Sequence, residues 1–438
     1  MVFEHGIGGS QDLPISLSFA LAGGAAALAV SFIVLALAWR EPRFDPATQG
    51  RPLPAGLARA VDSGWLSWVL RVLGLAFAAY VAWAAIAGPD TLTNPTFGVV
   101  YVLLWVGIVP ASLLLGPVYQ ALNPIRTVHL LLSRITGGDP AVGVMTLPRW
   151  VGLWPASLGL FAFVWLELVS LEANFLGTIR LWFAVYAAVL LVGAAVFGDR
   201  WIAAADPFEV YSTLVGHLSV FGRRADDVLV VRNPMVNLAG LVPQPGLVAA
   251  LGVLLGSTAF DSFQDSIAWV RFRQELGLPE VPINTLALIA FCAGVALLFS
   301  LATMLAPPAD GIARRAVPMR FAHSLVPIIV GYVFAHYLSY LVEVGQQTVV
   351  YLSDPMVEGA NLLGTADLQV SYWLSQHPTF LAVTKVVSIV GGHVLGVIAA
   401  HDSAMRLLPR RDQLTGQLPL LAVMVGFTIG GLYLLLTV

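Results

Sequence analysis

The 438-residue sequence predicts an all-α fold, a polytopic bundle of membrane-spanning helices, from three observations. Hydrophobic residues make up 58% of the chain and charged residues 11%, and mean hydropathy is +0.83. Soluble domains do not have this balance, because it would expose too much apolar surface for the chain to stay dispersed. Apolar runs of about 20 residues, the length that crosses a bilayer core, recur along the chain. The basic residues fall almost entirely in alternate loops between those runs.

In chain order, a polar segment over 1–15 precedes the first run. It has no basic n-region and no small-residue cleavage site, so no removable signal peptide is expected. Spans are expected at 16–39, 64–87, 98–121, 150–169, 178–197, 238–260, 284–306, 321–342, 379–400 and 417–437. Loops after odd-numbered spans hold 17 arginines, among them Arg43, Arg126, Arg223, Arg314 and Arg406. Opposite-side segments hold only Arg180, Arg271 and Arg273. The positive-inside rule therefore puts both termini outside the cytoplasm, in a single multi-pass domain of the inner (plasma) membrane. Cys292 is the only cysteine and lies in an apolar run, which excludes an internal disulfide or a thiolate metal cluster.

Two loop stretches are alike. GPVYQALNPIRTVHLLLSR (116–134) and DRWIAAADPFEVYSTLVGHLS (199–219) each follow a span and place Asn-Pro or Asp-Pro before an amphipathic run. Asn123 and Asp206 suit helix N-caps, with Pro124 and Pro207 at the first helical position. This pattern indicates a weak two-span repeat over 116–260, with short helices on the cytoplasmic surface that serve packing or, as the functional alternative, a lateral gate or partner-binding platform.

The chemistry concentrates in 321–402. In HSLVPIIVGYVFAHYLSYLVEVGQQ (323–347), residues Tyr332, His336, Tyr340, Glu343 and Gln347 fall within an arc of about 80° on an ideal helix. Polar groups are costly in lipid, so this stripe must face other helices or a water-filled cavity. Ser257, Asp261 and Asp265 share a face at the end of the sixth span, and Glu167 ends the fourth. Lys385, the only lysine beside 21 arginines, lies inside the ninth span with His393. Ser388, Gly392, Gly396 and Ala400 form a small-residue seam there, and the eighth helix is the expected neighbour. His323 and His401 read as helix-end residues, although His401 with Asp402 would pass as a cytoplasmic site. No nucleophile elbow, Walker A motif, dinucleotide fingerprint or haem-attachment motif is present, and no basic aromatic surface suggests nucleic acid.

HGIGGSQDLPIS (5–16), ALNPIR (121–126), DPFEVYSTL (206–214), LLGSTAFDSF (254–263) and AHYLSYLVEVGQ (335–346) resemble bacterial, mainly actinobacterial, multi-pass membrane proteins named fenitrothion hydrolase. The resemblance implies hydrolysis of an apolar organophosphorus ester at the membrane, and it carries no catalytic residues with it. In that reading Asp261, Glu343 and Lys385 are the expected catalytic groups. His336, His393, Asp261 and Asp265 are the expected ligands of a divalent metal, zinc or similar, that activates water. The partners are the lipid bilayer and a small apolar or anionic substrate. The alternative is a transporter of a metal ion, proton or small anion using the same residues. A structural or assembly factor ranks third.

Overall fold

The structure, a computed structural model, describes residues 8–437. Residues 5–7 of the N-terminal motif lie outside the described residues. The long helices, numbered in chain order, are α1 (Leu17–Ala38), α2 (Gly64–Ala87), the bent pair α3 (Pro95–Leu104 and Ile108–Leu115), α4 (Trp154–Leu168) and α5 (Leu176–Phe197). They continue with α6 (Leu247–Gln264), α7 (Glu280–Leu305), α8 (Val326–Ser339), α9 (Pro378–Leu407) and α10 (Leu418–Thr437). The all-α bundle is therefore observed. Its only strands among the described residues are Arg51–Pro52, Phe221–Arg223 and Leu229–Val231, which form a small antiparallel sheet with the third strand central.

Eight helices among the described residues are long and apolar enough to cross a membrane, or nine if the two halves of α3, bent by 45°, count as one span. The ten expected spans differ from this at three places. The run over 150–169 yields only the 15 residues of α4, because turns occupy the chain up to Leu153 and Pro155 admits a helix only at its first turn. The sixth span begins at Leu247 and not at 238, since Pro243, Pro245 and the left-handed Gly246 keep the preceding residues out of a helix. The eighth extends from Arg314 to Tyr351 through a 3-10 stretch, α8, a π-helical turn at Tyr340–Val344 and a last α-helical segment at Gly345–Tyr351. Bulky apolar side chains such as Phe19, Trp65, Ile86 and Leu298 stand on outward faces, as a lipid environment requires.

The chain packs as two compact units, each assembled from separated stretches. The first takes the stretch ending at Gln49, Met235–Ser339 and the stretch from Tyr372 onward; the second takes Gly50–Pro234 and Tyr340–Ser371.

In the first unit α9 lies directly on α8. A Cβ at Gly392 would stand 2.6 Å from the Pro327 carbonyl oxygen, and one at Gly396 2.8 Å from that of Ser324. The expected seam thus meets the expected neighbour, and only glycine lets the backbones come this close. Gly256 does the same for α6 against α7, where a Cβ would lie 2.5 Å from the Cα of Cys292. Cys292 is buried at that crossing as a packing residue.

In the second unit the core surrounds the short helix Pro207–Gly216, whose residues are buried almost throughout. Phe208 meets Phe163 of α4 edge-on at 5.2 Å and stands 5.8 Å from Tyr186 of α5, and Tyr211 packs 5.2 Å from Trp105. These rings supply most of the local apolar burial.

Candidate functional site

In the first unit, α6 and α8 bring five polar side chains together. His336 Nε2 lies 2.8 Å from Asp261 Oδ2. The Tyr337 hydroxyl donates to the same carboxylate oxygen at 2.6 Å, and Gln264 Nε2 donates to Oδ1 at 3.1 Å. On the other edge of the imidazole, Ser262 Oγ lies 3.3 Å from His336 Nδ1. Asp261, Ser262, His336 and Tyr337 are all buried. The local geometry follows from helical spacing. Asp261 and Ser262 are adjacent and point about 100° apart, so they bracket one ring reaching across from α8.

This bracketing assigns roles. An ionised carboxylate only accepts, so Nε2 carries the proton toward Asp261 and Nδ1 keeps its lone pair for Ser262. The Ser262 hydroxyl has two acceptors in reach, His336 Nδ1 and the Thr258 carbonyl at 3.2 Å. Ser262, His336 and Asp261 are thus connected in the order hydroxyl, imidazole, carboxylate, an order that nucleophilic sites also use.

One turn away, α6, α7, α8 and α10 leave an apolar groove of about 400 Å³, lined by Ala259, Gly294, Leu298, Tyr332, Gly430 and their neighbours. Tyr332 spends its hydroxyl on the Phe427 carbonyl, at 3.0 Å. Its ring fills the space that a side chain at Gly431 would need.

The other sequence-selected residues fall elsewhere. His393 is fully buried in α9 with Nδ1 2.9 Å from the Ile389 carbonyl, Nε2 without a hydrogen bond, and its ring edge-on to Tyr332. Asp265 is the exposed C-cap of α6. Glu343 is buried in the π-helical turn of the second unit. Lys385 is the third residue expected to be catalytic, beside Asp261 and Glu343. It reaches the Leu435 carbonyl at 3.3 Å, with Asp12 of the N-terminal turn as the acidic group acting on it. Glu167 lies half-buried near the end of α4. Among the described residues no three His, Cys, Asp or Glu side chains stand where one metal ion could be held. The expected set of His336, His393, Asp261 and Asp265 is therefore not gathered into one donor shell, and no step below runs through a metal.

His401 and Asp402 are more buried than helix-end residues would be. His401 bonds Gln417 Oε1 at 3.1 Å and the Trp39 carbonyl at 2.9 Å. Asp402 accepts from the Arg43 backbone at 2.6 Å and from Arg406 at 2.5 Å. His323 Nε2 meets Ser403 Oγ at 3.1 Å. These contacts pin the loop after α1 and the 3-10 stretches before α8 and α10 to the end of α9.

The second unit holds its own buried polar centre, made by the two similar loop stretches. Each leaves its span through a glycine of positive φ, Gly116 (82°) and Gly198 (71°). Each then makes a short helix (Val118–Leu122, Asp199–Ala205) and turns at an N-cap into a second helix, Pro124–Ile135 or Pro207–Gly216. The caps meet one another. Asn123 Nδ2 donates to Asp206 Oδ2 at 2.8 Å and to Glu209 Oε2 at 2.9 Å. Arg126 and Glu209, each three residues past its cap, form a bidentate pair with both bonds at 2.6 Å. Asp206 also receives the Tyr186 hydroxyl at 2.8 Å and two backbone N–H groups. Burial, reinforced by the Glu209 carboxylate, raises the Asp206 pKa to about 6.

No family model matches the chain, and no curated protein or solved structure matches it.

Proposed function

We propose that the protein is an integral membrane hydrolase of apolar esters, with organophosphorus triesters as the class implied by the sequence resemblance. The reading rests on the connected Ser262–His336–Asp261 arrangement beside an apolar groove. Asp261 holds the imidazole in the tautomer that leaves Nδ1 basic, and the Tyr337 hydroxyl steadies the carboxylate. His336 takes the Ser262 proton as Oγ bonds to the phosphorus. The bond from phosphorus to the leaving-group oxygen breaks, and His336 returns the proton to that oxygen. Water, deprotonated by the same nitrogen, then cleaves the serine ester and restores the hydroxyl. General-base action of this kind is worth about 10²–10⁴-fold in rate. The substrate partitions into the bilayer and arrives laterally, and the site opens on the outer half of the membrane, as the arginine distribution implies for this end of α6 and α8.

The test is hydrolysis of diethyl p-nitrophenyl phosphate by the full-length protein in lipid vesicles. Ser262→Ala and His336→Ala should each lower kcat by at least about 100-fold, and the double variant should be no worse than either single, as for members of one unit. Full activity in both single variants would overturn the reading.

A second reading, proton-linked transport, draws on the same buried Asp–His pair and on the break in α3, since discontinuous helices line many transport sites. It predicts pH-gradient-driven uptake that Asp261→Asn abolishes.

A further inference from the structure

We infer that the groove between α6, α7, α8 and α10 holds the longer apolar arm of the ester, so that the enzyme selects substrates with an extended alkyl or aryl chain. This rests on the hydrolase reading above and adds the substrate class.

The first argument is continuity. Ala259 lines the groove three residues before Ser262 on α6, and Tyr332 lines it four residues before His336 on α8. Those steps rise about 4.5 and 6 Å along their helices, so a group attached to an ester at Ser262 reaches the groove within a few bonds.

The second argument is the glycines. Gly294 of α7 and Gly426 and Gly430 of α10 line the groove, and a Cβ at each would meet nothing within 4 Å. In the same unit, Gly256, Gly331, Gly392, Gly396 and Gly431 are held by close backbone or ring contacts that forbid a side chain. Helix–helix packing therefore accounts for the second set and not for the first. Gly23 of α1 and Gly391 of α9 are also unforced without lining the groove, but three such glycines on two helices border this one space and leave it open. The wall is apolar, because its one hydroxyl, that of Tyr332, is taken by Phe427. Leu298, 49% exposed, opens the groove sideways to the bilayer.

The experiment compares diethyl p-nitrophenyl phosphate with its homologue carrying one octyl arm, using the full-length protein in vesicles. Gly294→Leu and, independently, Gly430→Leu place a side chain in the groove from positions where the Cβ meets nothing within 4 Å. Each should lower the octyl-to-ethyl ratio of kcat/KM by at least about ten-fold, mainly through KM, as expected when several methylenes lose their pocket. If one variant does not fold, Gly426→Leu reads the same space. A ratio that moves by less than about two-fold in every folded variant overturns the inference and leaves the groove to a bilayer lipid chain. If wild-type protein hydrolyses neither ester, the hydrolase reading fails and takes this inference with it. If Ser262→Ala abolishes hydrolysis while the ratio stays put, only the groove assignment fails.

Discussion

The two buried polar centres use similar groups to different ends. In the second unit, Asn123, Asp206, Arg126 and Glu209 sit at matching positions of two similar stretches and satisfy one another. Both oxygens of Asp206 and both of Glu209 accept hydrogen bonds, and the guanidinium is held in a two-pronged fork. In the first unit, Asp261 is equally well supplied, but the chain of bonds leads through His336 to a serine hydroxyl with two competing acceptors, next to an open apolar groove. The first arrangement locks two helix starts together. In the proposed reading, the second leaves a proton with somewhere to go and a space beside it for a substrate. The presence of buried charge does not tell function from architecture; what does is whether the network ends in a group able to change partners.

The largest expected effect separates the two centres directly. Glu209→Ala removes the bidentate partner of buried Arg126 and leaves it only Asp199, 3.7 Å away, a loss of up to about 3–5 kcal/mol, and folded protein should be scarce in detergent extracts. Asp261→Asn should instead give wild-type yield and melting temperature within a few degrees, with hydrolysis reduced. Normal folding of Glu209→Ala would remove the structural role assigned to that centre.

How much of this was legible in the sequence depends on local versus long-range information. The caps at Asn123 and Asp206, with proline following, were readable because capping is written in neighbouring residues. That the two caps bond one another is tertiary, and nothing in the spacing announced it. The seam on α9 and its partner α8 were legible because close backbone approach demands small residues at fixed intervals. The polar stripe was read correctly as far as His336. Beyond Ser339 the helix passes into a π-turn, so the step of 100° per residue no longer holds at Glu343. Ser262 was missed because the i, i+4 rule selected Ser257, Asp261 and Asp265. The adjacent pair Asp261–Ser262 was the available signal, since neighbours on one helix can hold both nitrogens of a single ring. His336 and His393 were expected to ligate one metal, but they lie on different helices, and His393 turns its Nδ1 to its own helix.

A smaller effect sharpens the contrast through pH. The Asp206 pKa is about 6 in the fold against 3.8 ordinarily, so the folded protein binds the proton more tightly than the unfolded chain. The stabilisation is complete below pH 3.8 and is lost as pH rises through about 6. The groups facing Asp206 are Asn123, Glu209, Tyr186 and Tyr119, with Arg126 beyond them. Asp206→Asn removes this titration, so its melting temperature relative to wild type should rise between pH 4 and 6 by on the order of 2–4 °C and stay level above. A flat difference across that range would mean that the carboxylate is not held as the geometry indicates.

The central claim, that Ser262 is a nucleophile activated by His336 and Asp261, is tested most directly by covalent capture. Full-length protein in vesicles, treated with a long-chain alkyl fluorophosphonate, should form one serine adduct, with fluoride released as the Oγ–phosphorus bond forms. Peptide mass spectrometry should place the adduct on Ser262. His336→Gln should slow labelling by about 10²–10⁴-fold while leaving the protein folded. An adduct on another residue, or labelling of Ser262 at the same rate without His336, would contradict the account.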